Sequence, residues 1–151
     1  MQFLRSLVSQ GLLTPAGHEQ FMSSLHTVTR GLHQAYAALT AGTLSREAFL
    51  ERYGHLRPGT YDLLSPRYDE NFEGYFNLAP HAPPPPAEFA LGGAQREALG
   101  AALVEHGLTV SADELFQFIR ESIEGREESK FIFTRSLSEV LRLVAELGAA
   151  E

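Results

Sequence analysis

The chain has 151 residues, 44% of them apolar, and a formal net charge of −7. This length is enough for one domain, or two small subdomains, with a real apolar core. The acidic balance argues against a general nucleic-acid binder, which needs a basic surface to displace counterions from phosphate, and the absence of cysteine excludes disulfides and thiolate metal sites.

Neither a membrane span nor a secretory signal is indicated. The sequence contains no run of about 18 consecutive apolar residues, the length that a spanning helix needs. The first 17 residues carry one arginine, an apolar pattern broken by serine and glutamine, and no small-residue cleavage site. We therefore expect a protein of the cytoplasm without membrane or nucleic-acid partners.

Helical patterns cover most of the N-terminal half. Thr14 and Pro15 form an N-cap and first-turn pair, and apolar residues then recur at three- and four-residue intervals. This pattern predicts one long amphipathic helix ending near Gly42. Ser45 can cap a short helix that follows, and Gly54 suits a C-terminal cap with positive φ.

Residues 52–70, RYGHLRPGTYDLLSPRYDE, form what we call the polar segment. They collect one histidine, three arginines, three tyrosines and two of the chain's three aspartates. The Pro-Gly pair in the middle predicts a turn. The Ser-Pro pair near the end predicts a short helical stretch over residues 67–76.

A change of composition marks residues 77–93, which hold five of the eight prolines. Four consecutive prolines favour an extended polyproline conformation, so a linker is predicted here. The domain organisation predicted from these patterns is an N-terminal helical part over residues 1–76, this linker, and C-terminal helices over residues 94–151 that pack back on the first part as one domain. The fold class is all-α, a bundle of about five to seven helices.

The last helical region, residues 112–147, begins behind a capping box formed by Ser111 and Glu114. Its apolar stripe is interrupted by three charged residues, Arg126, Glu127 and Lys130. On a straight helix Glu127 and Lys130 face the core with Arg126 at the edge, where charges are costly unless paired. We expect the polar segment to dock there, cross-linked through Arg57, Asp62, Arg67 and Asp69. The alternative is a helix break near Gly125 that turns the charges to solvent.

Several stretches carry a resemblance to a known family. YGHLRPGTYDLLSPRYDE, preceded by FMSSLHTVTRGL and SREAFLERYG and followed by GREESKFIFTRSLSEVL, resembles the central helical region of phosphoenolpyruvate-utilising phosphotransferases. That group contains phosphoenolpyruvate synthase and rifampin phosphotransferase, and the similarity is closest to bacterial proteins described as having a phosphoenolpyruvate/pyruvate-binding domain. It covers roughly residues 21–147.

The resemblance implies modular chemistry. In the family an ATP-grasp domain phosphorylates a histidine on a swivelling domain, and in rifampin phosphotransferase a largely helical domain between them holds the acceptor. This chain resembles that middle piece. It has no Gly-rich nucleotide loop and no histidine in a Gly-Gly-x-x-Ser-His setting. We therefore expect it to have no catalytic residue, cofactor or metal of its own and to depend on partners that supply the ATP-grasp and phosphohistidine domains.

The resemblance also nominates substrate-binding residues. Arg57 and Arg67 can clamp a phosphate or carboxylate, Tyr61 or Tyr68 can stack on or hydrogen-bond an acceptor, and His55 can exchange a proton near neutral pH. Each has a plainer interpretation: the histidine fastens the loop, the arginines pair with acidic residues, and the tyrosines pack their rings.

Two functions from different classes therefore stand side by side. The first is a substrate-facing helical domain of a phosphotransferase that recognises a phosphorylated or carboxylate small molecule. The second is a structural or interaction module in which the polar segment is a salt-bridged clamp. Surplus apolar residues in residues 3–13 and near Leu147 indicate contacts with missing domains or a homodimer seam.

Overall fold

The computed structural model describes residues 2–77 and 88–149, and all regular secondary structure in those ranges is helical. The seven helices are α1 (Gln2–Ser9), α2 (Pro15–Ser24), α3 (Val28–Thr40), α4 (Arg46–Tyr53), α5 (Phe72–Tyr75), α6 (Gly93–Glu105) and α7 (Ala112–Ala149). The all-α prediction is confirmed. Most of the predicted proline-rich linker, residues 78–87, lies outside the described residues.

The helix starts predicted at Thr14, Ser45 and Ser111 are present, whereas the stretch predicted over residues 67–76 is helical only from Phe72 to Tyr75. The Thr14 hydroxyl accepts a hydrogen bond from the Gly17 amide at 3.0 Å at the start of α2. At the start of α7, the Ser111 amide donates to the Glu114 carboxylate at 2.8 Å, and the Glu114 amide donates to the Ser111 hydroxyl at 3.2 Å. Because a helix leaves its first amides without intrahelical partners, such side chains fix where it begins.

The single long helix predicted to end near Gly42 is wrong, because the chain leaves the helical conformation after Ser24 and re-enters it at Val28. Leu25 is extended, with ψ at 143°, and buried. Thr27 then caps α3 by accepting from the Arg30 amide at 3.3 Å. The spacing of apolar residues did not reveal this break, because they recur at three- to four-residue intervals on both sides of it.

The described residues fall into two compact units, each built from both halves of the chain. Unit 1 comprises the described residues of Met1–His26 and Pro84–Gly125, and unit 2 those of Thr27–Pro83 and Arg126–Glu151. Helix α7 contributes its first part to unit 1 and the remainder to unit 2. No helix within the described residues has both the length and the apolar run needed to cross a membrane.

Each unit has its own aromatic core. In unit 1, Phe21 is fully buried and meets the rings of Phe89 and Phe116 edge-on, at centroid distances of 5.0 and 5.1 Å. In unit 2, Phe49 and Phe72 pack against each other, also edge-on, at 6.0 Å. The buried members of the second core are Phe49, Tyr53, Phe72 and Phe131, and the polar segment lies directly beside them.

Candidate functional site

The polar segment closes on itself through its own backbone. The amide of Tyr68 donates to the carbonyl of Leu56 at 2.8 Å, and the amide of Asp69 donates to that of Gly54 at 3.1 Å. These bonds join the two arms of the segment, and the turn between them is closed by a bond from the Asp62 amide to the Gly59 carbonyl at 2.9 Å. The segment is therefore a fastened loop, and its side chains are presented from a fixed backbone.

Gly54 is required by this closure in a way the sequence did not indicate. Its φ is −58°, so the positive φ expected at the end of α4 is wrong. A Cβ at this position would lie 2.4 Å from the carbonyl oxygen of Leu50 and 3.0 Å from the Cβ of Asp69. The glycine permits the second arm to approach the end of α4, a steric role rather than a conformational one.

Arg67 ties the segment to α7. Its Nε and Nη2 donate to the two carboxylate oxygens of Asp69 at 2.9 and 2.5 Å, and its Nη1 donates to Oε2 of Glu139 at 3.0 Å. All three guanidinium nitrogens are thus engaged. Partial burial works to lower the pKa of Arg67, but the bonds to Asp69 and then Glu139 outweigh it and raise that pKa.

Glu139 is shared between two arginines on one side of α7. Hydrogen bonds from Arg142 first, and from Arg67 second, lower the pKa of Glu139 to about 2. Arg142 bonds Glu146 as well. The contact between Glu139 and Arg67 therefore does not titrate near neutral pH.

Arg57 is held differently from Arg67. Its guanidinium donates to the carbonyl of Asp62 at 3.1 Å, and to the carbonyl and hydroxyl oxygens of Ser138 at 3.4 and 3.3 Å. Only 8% of the residue is exposed. The expected ion pair with Asp62 does not form, because that carboxylate turns back to accept from the Leu64 amide at 2.9 Å.

His55 is 5% exposed and stacks obliquely on Phe131, with the ring centroids 4.9 Å apart. Neither ring nitrogen makes a hydrogen bond within the described residues. Burial lowers the pKa of His55, and the charge of Arg135 lowers it further, while the nearby Phe131 carbonyl opposes this shift without reaching hydrogen-bond geometry. The imidazole is therefore neutral at pH 7 and inaccessible to a substrate.

The two nominated tyrosines lie apart. Tyr68 is half-buried against Tyr75 and Phe76, at centroid distances of 5.3 and 5.0 Å, and burial raises its pKa. Tyr61 is 76% exposed at the tip of the segment, beside Leu64, which is 91% exposed. Of the five nominated binding residues, His55 and Arg57 line one small cavity in the part of the chain that the structure describes, and the other three are not in its lining.

The charged trio on α7 does not receive the polar segment. The helix runs through without a break at Gly125, yet Lys130 is 65% exposed and Arg126 also faces solvent. Among the described residues, Glu127 forms ion pairs with these two neighbours, at 3.2 and 3.8 Å. The polar segment does not dock on these three residues as expected. It contacts residues farther along α7, because the helix face that packs in unit 2 differs from the face that the apolar stripe predicted.

The residues that receive the segment are therefore Ser138 and Glu139, which the sequence interpretation missed. Ser138 is buried, and it follows Phe131 by seven residues, which places both on one side of the helix. A small polar residue at core spacing was the available signal. Arg135 adds a third contact by donating to the Glu51 carbonyl near the end of α4 at 3.0 Å.

Unit 1 has concave surfaces of its own. One cavity of about 280 Å³ contains Arg96, Asp113 and Arg120, but Arg96 pairs with Asp113 at 3.0 Å and Arg120 donates to Ser24 at 2.8 and 3.0 Å. Another, of about 340 Å³, is apolar. Among the residues that the structure describes, no three His, Asp or Glu side chains are grouped so as to hold a metal.

Comparisons of the chain with protein-family models, with curated proteins and with solved structures find no match. The family resemblance noted in the sequence therefore stays a prediction, and the geometry of unit 2 must carry the functional argument.

Proposed function

We propose that this chain is a helical, non-catalytic domain of a phosphoenolpyruvate synthase-like phosphotransferase, and that its polar segment is a salt-bridged clamp. The observation that carries the clamp is the complete engagement of Arg67, whose three nitrogens bond Asp69 and Glu139. The phosphotransferase context rests on the sequence resemblance over the same residues.

The clamp explains the segment better than direct substrate binding does. A phosphate or carboxylate ligand approaching Arg67 would have to displace two carboxylates that are already in place. Arg57 is buried, and its cavity is far smaller than such a ligand. Charge-assisted bonds of this kind fix a loop where apolar burial is small, so the segment serves to hold a rigid surface.

The surface that the clamp holds is the tip of the segment. Tyr61 and Leu64 project from it with most of their area exposed, between the two fastened arms. Aromatic and aliphatic side chains presented on a rigid scaffold are typical anchors of interfaces. We assign this tip to contact with a neighbouring domain of the enzyme or with the acceptor that this domain holds.

The chemistry belongs to partners in this proposal. An ATP-grasp domain would phosphorylate a histidine on a second domain, and the present chain would position the acceptor between them. The cytoplasm is the compartment that this chemistry requires, since it supplies ATP and phosphoenolpyruvate. Further area for docking is provided by the exposed apolar residues of α7 in unit 2, which are Ile132, Phe133, Val140, Leu143, Val144 and Leu147.

The proposal is tested by reconstitution. The chain is mixed with separately expressed ATP-grasp and phosphohistidine domains from the same genome, complex formation is followed by sedimentation, and transfer of labelled phosphate from ATP to candidate acceptors is measured. We expect a complex, and transfer that requires all three components. Self-association of the chain alone, with no binding to either domain, would overturn the proposal and identify the chain as a dimeric structural module.

A further inference from the structure

Unit 1 contains a concave site that the proposed function does not use. It is the cavity of about 280 Å³ that contains Arg96 and Asp113, and the residues that line it all belong to this unit. Its volume lies near the lower end of the ~300–1,000 Å³ that is typical of small-molecule pockets. The cavity therefore suits a ligand smaller than a drug-sized molecule.

One part of the cavity wall is built from aromatic rings. Phe21, Phe89 and Phe116 contact one another, and all three centroid distances are 5.0 or 5.1 Å. Phe21 and Phe116 are buried, so this wall is fixed by the core of unit 1. Water against such rings lacks hydrogen-bond partners on that side, and its displacement by the apolar part of a ligand is favourable.

Opposite charges line the same cavity. Nε of Arg96 lies 3.0 Å from Oδ2 of Asp113, and these side chains are 50% and 62% exposed, so the pair by itself contributes little to stability. Nη1 of Arg96 and Oε1 of Gln117 have no hydrogen-bond partner among the described residues. Because Gln117 follows Asp113 by four residues, both lie on one side of α7. The cavity thus offers donors from α6 and acceptors from α7.

The chain that leads into α6 adds backbone groups to the lining. Residues 89–91 are not helical, and no hydrogen bond joins their amides or carbonyls to another described residue. The side chain of Gln20 holds this stretch by donating to the Glu88 carbonyl at 2.8 Å. The backbone beside the cavity can therefore bond a polar ligand without giving up an existing hydrogen bond.

We propose that this cavity binds a free α-amino acid with an apolar side chain, such as leucine or phenylalanine. The ligand's carboxylate would accept from Arg96, its ammonium would donate to Asp113 and Gln117, and its side chain would lie on the aromatic wall. A zwitterion adds no net charge and gives each member of the Arg96–Asp113 pair a second partner of opposite sign. A plain carboxylate or amine would satisfy one member and face the like charge of the other.

This inference goes beyond the proposed function and does not rest on it, because the site is in unit 1 and is tested on this chain alone. The first test measures the unfolding temperature with L-leucine or L-phenylalanine at millimolar levels and constant ionic strength. A ligand that binds only the folded state raises this temperature, so we expect a rise with both amino acids. Glycine has the two charges without the apolar side chain and should give no rise at the same levels.

Blocked forms of leucine test the two charges separately. N-acetyl-leucine lacks the ammonium and leucinamide lacks the carboxylate, so each should bind at least about tenfold more weakly than leucine, the cost of one hydrogen bond between charged groups. No rise with either leucine or phenylalanine, or equal affinity for the blocked forms, would overturn the proposal.

The second test locates the ligand. Arg96→Gln removes the carboxylate's partner at an exposed position and should weaken leucine binding at least about tenfold. Arg5→Gln is the matched control, because Arg5 is an exposed arginine of unit 1 outside the lining of this cavity, and it should leave binding intact. In amide NMR spectra, leucine should shift the signals of residues 89–91. Shifts confined to the apolar cavity beside Phe118, or unchanged affinity in Arg96→Gln, would contradict the proposal.

Discussion

Arg67 and Glu139 face each other at 3.0 Å although 72 positions separate them in the sequence. This contact joins the polar segment to α7, and Asp69 completes it from within the segment. The polar segment, whose composition is typical of a binding site, is thereby fastened to α7.

Loss of the Arg67 side chain should destabilise the protein even without a ligand. Arg67→Ala removes three charge-assisted bonds from a side chain that is only 13% exposed, and we expect about 2 kcal/mol lower stability towards urea. Arg142→Ala is the matched control, because it removes a partner of the same Glu139 from the solvent side and should change the urea midpoint little. An equal loss in both variants would argue against the clamp.

Adding one methyl group should have opposite effects at two glycines. Gly54→Ala forces a Cβ towards the Leu50 carbonyl and Asp69, so we expect a loss of about 1–3 kcal/mol. Gly100→Ala lies within α6, where no atom comes within 4 Å of the added carbon, and should gain roughly 0.5–1 kcal/mol from helix propensity. Urea unfolding measures both, and a neutral Gly54→Ala would refute the close approach.

Stability should fall on mild acidification because of His55. Burial and the charge of Arg135, with a smaller contribution from Arg67, lower its pKa below the usual 6.5, while the Phe131 carbonyl and Asp69 oppose this. The unfolded chain therefore binds the proton more readily, so the stabilisation is complete above pH 6.5 and is lost as the pH falls through 6.5 towards the native pKa.

The measurement is the urea midpoint as a function of pH at constant ionic strength. His55→Gln should flatten the pH dependence between about pH 7 and about pH 5. The exposed His106 provides the control variant, His106→Gln, which should keep the wild-type slope. An unchanged slope in His55→Gln would show that another group titrates.

The tip of the segment should matter for association and not for folding. Tyr61→Ala and Leu64→Ala remove side chains that are mostly exposed, so each should alter stability by no more than about 0.5 kcal/mol. In the reconstitution with ATP-grasp and phosphohistidine domains, either change should weaken the complex or the transfer of phosphate. Full binding and full phosphate transfer by both variants would show that the tip is not part of the interface.

Local capping rules predicted the helix starts well, because Thr14 and Ser111 act on amides only a few positions away. The break at Thr27 was missed because periodicity does not record a short non-helical turn. The prediction that Lys130 faces the core was wrong for a related reason. The periodicity shows which residues share a helix face, but only tertiary packing decides which face is buried in unit 2. Ser138 could not be paired with Arg57 without that knowledge.

The measurement that tests the clamp most directly is thermal unfolding of the wild type and Arg67→Ala, each with and without millimolar phosphate, phosphoenolpyruvate or pyruvate at constant chloride. Any ligand that binds only the native state must raise the unfolding temperature. The clamp predicts that any ligand-dependent rise is the same in both proteins, and that Arg67→Ala unfolds at a lower temperature throughout. A rise in the wild type that Arg67→Ala abolishes, with equal unliganded stability, would contradict it and make the polar segment a binding site.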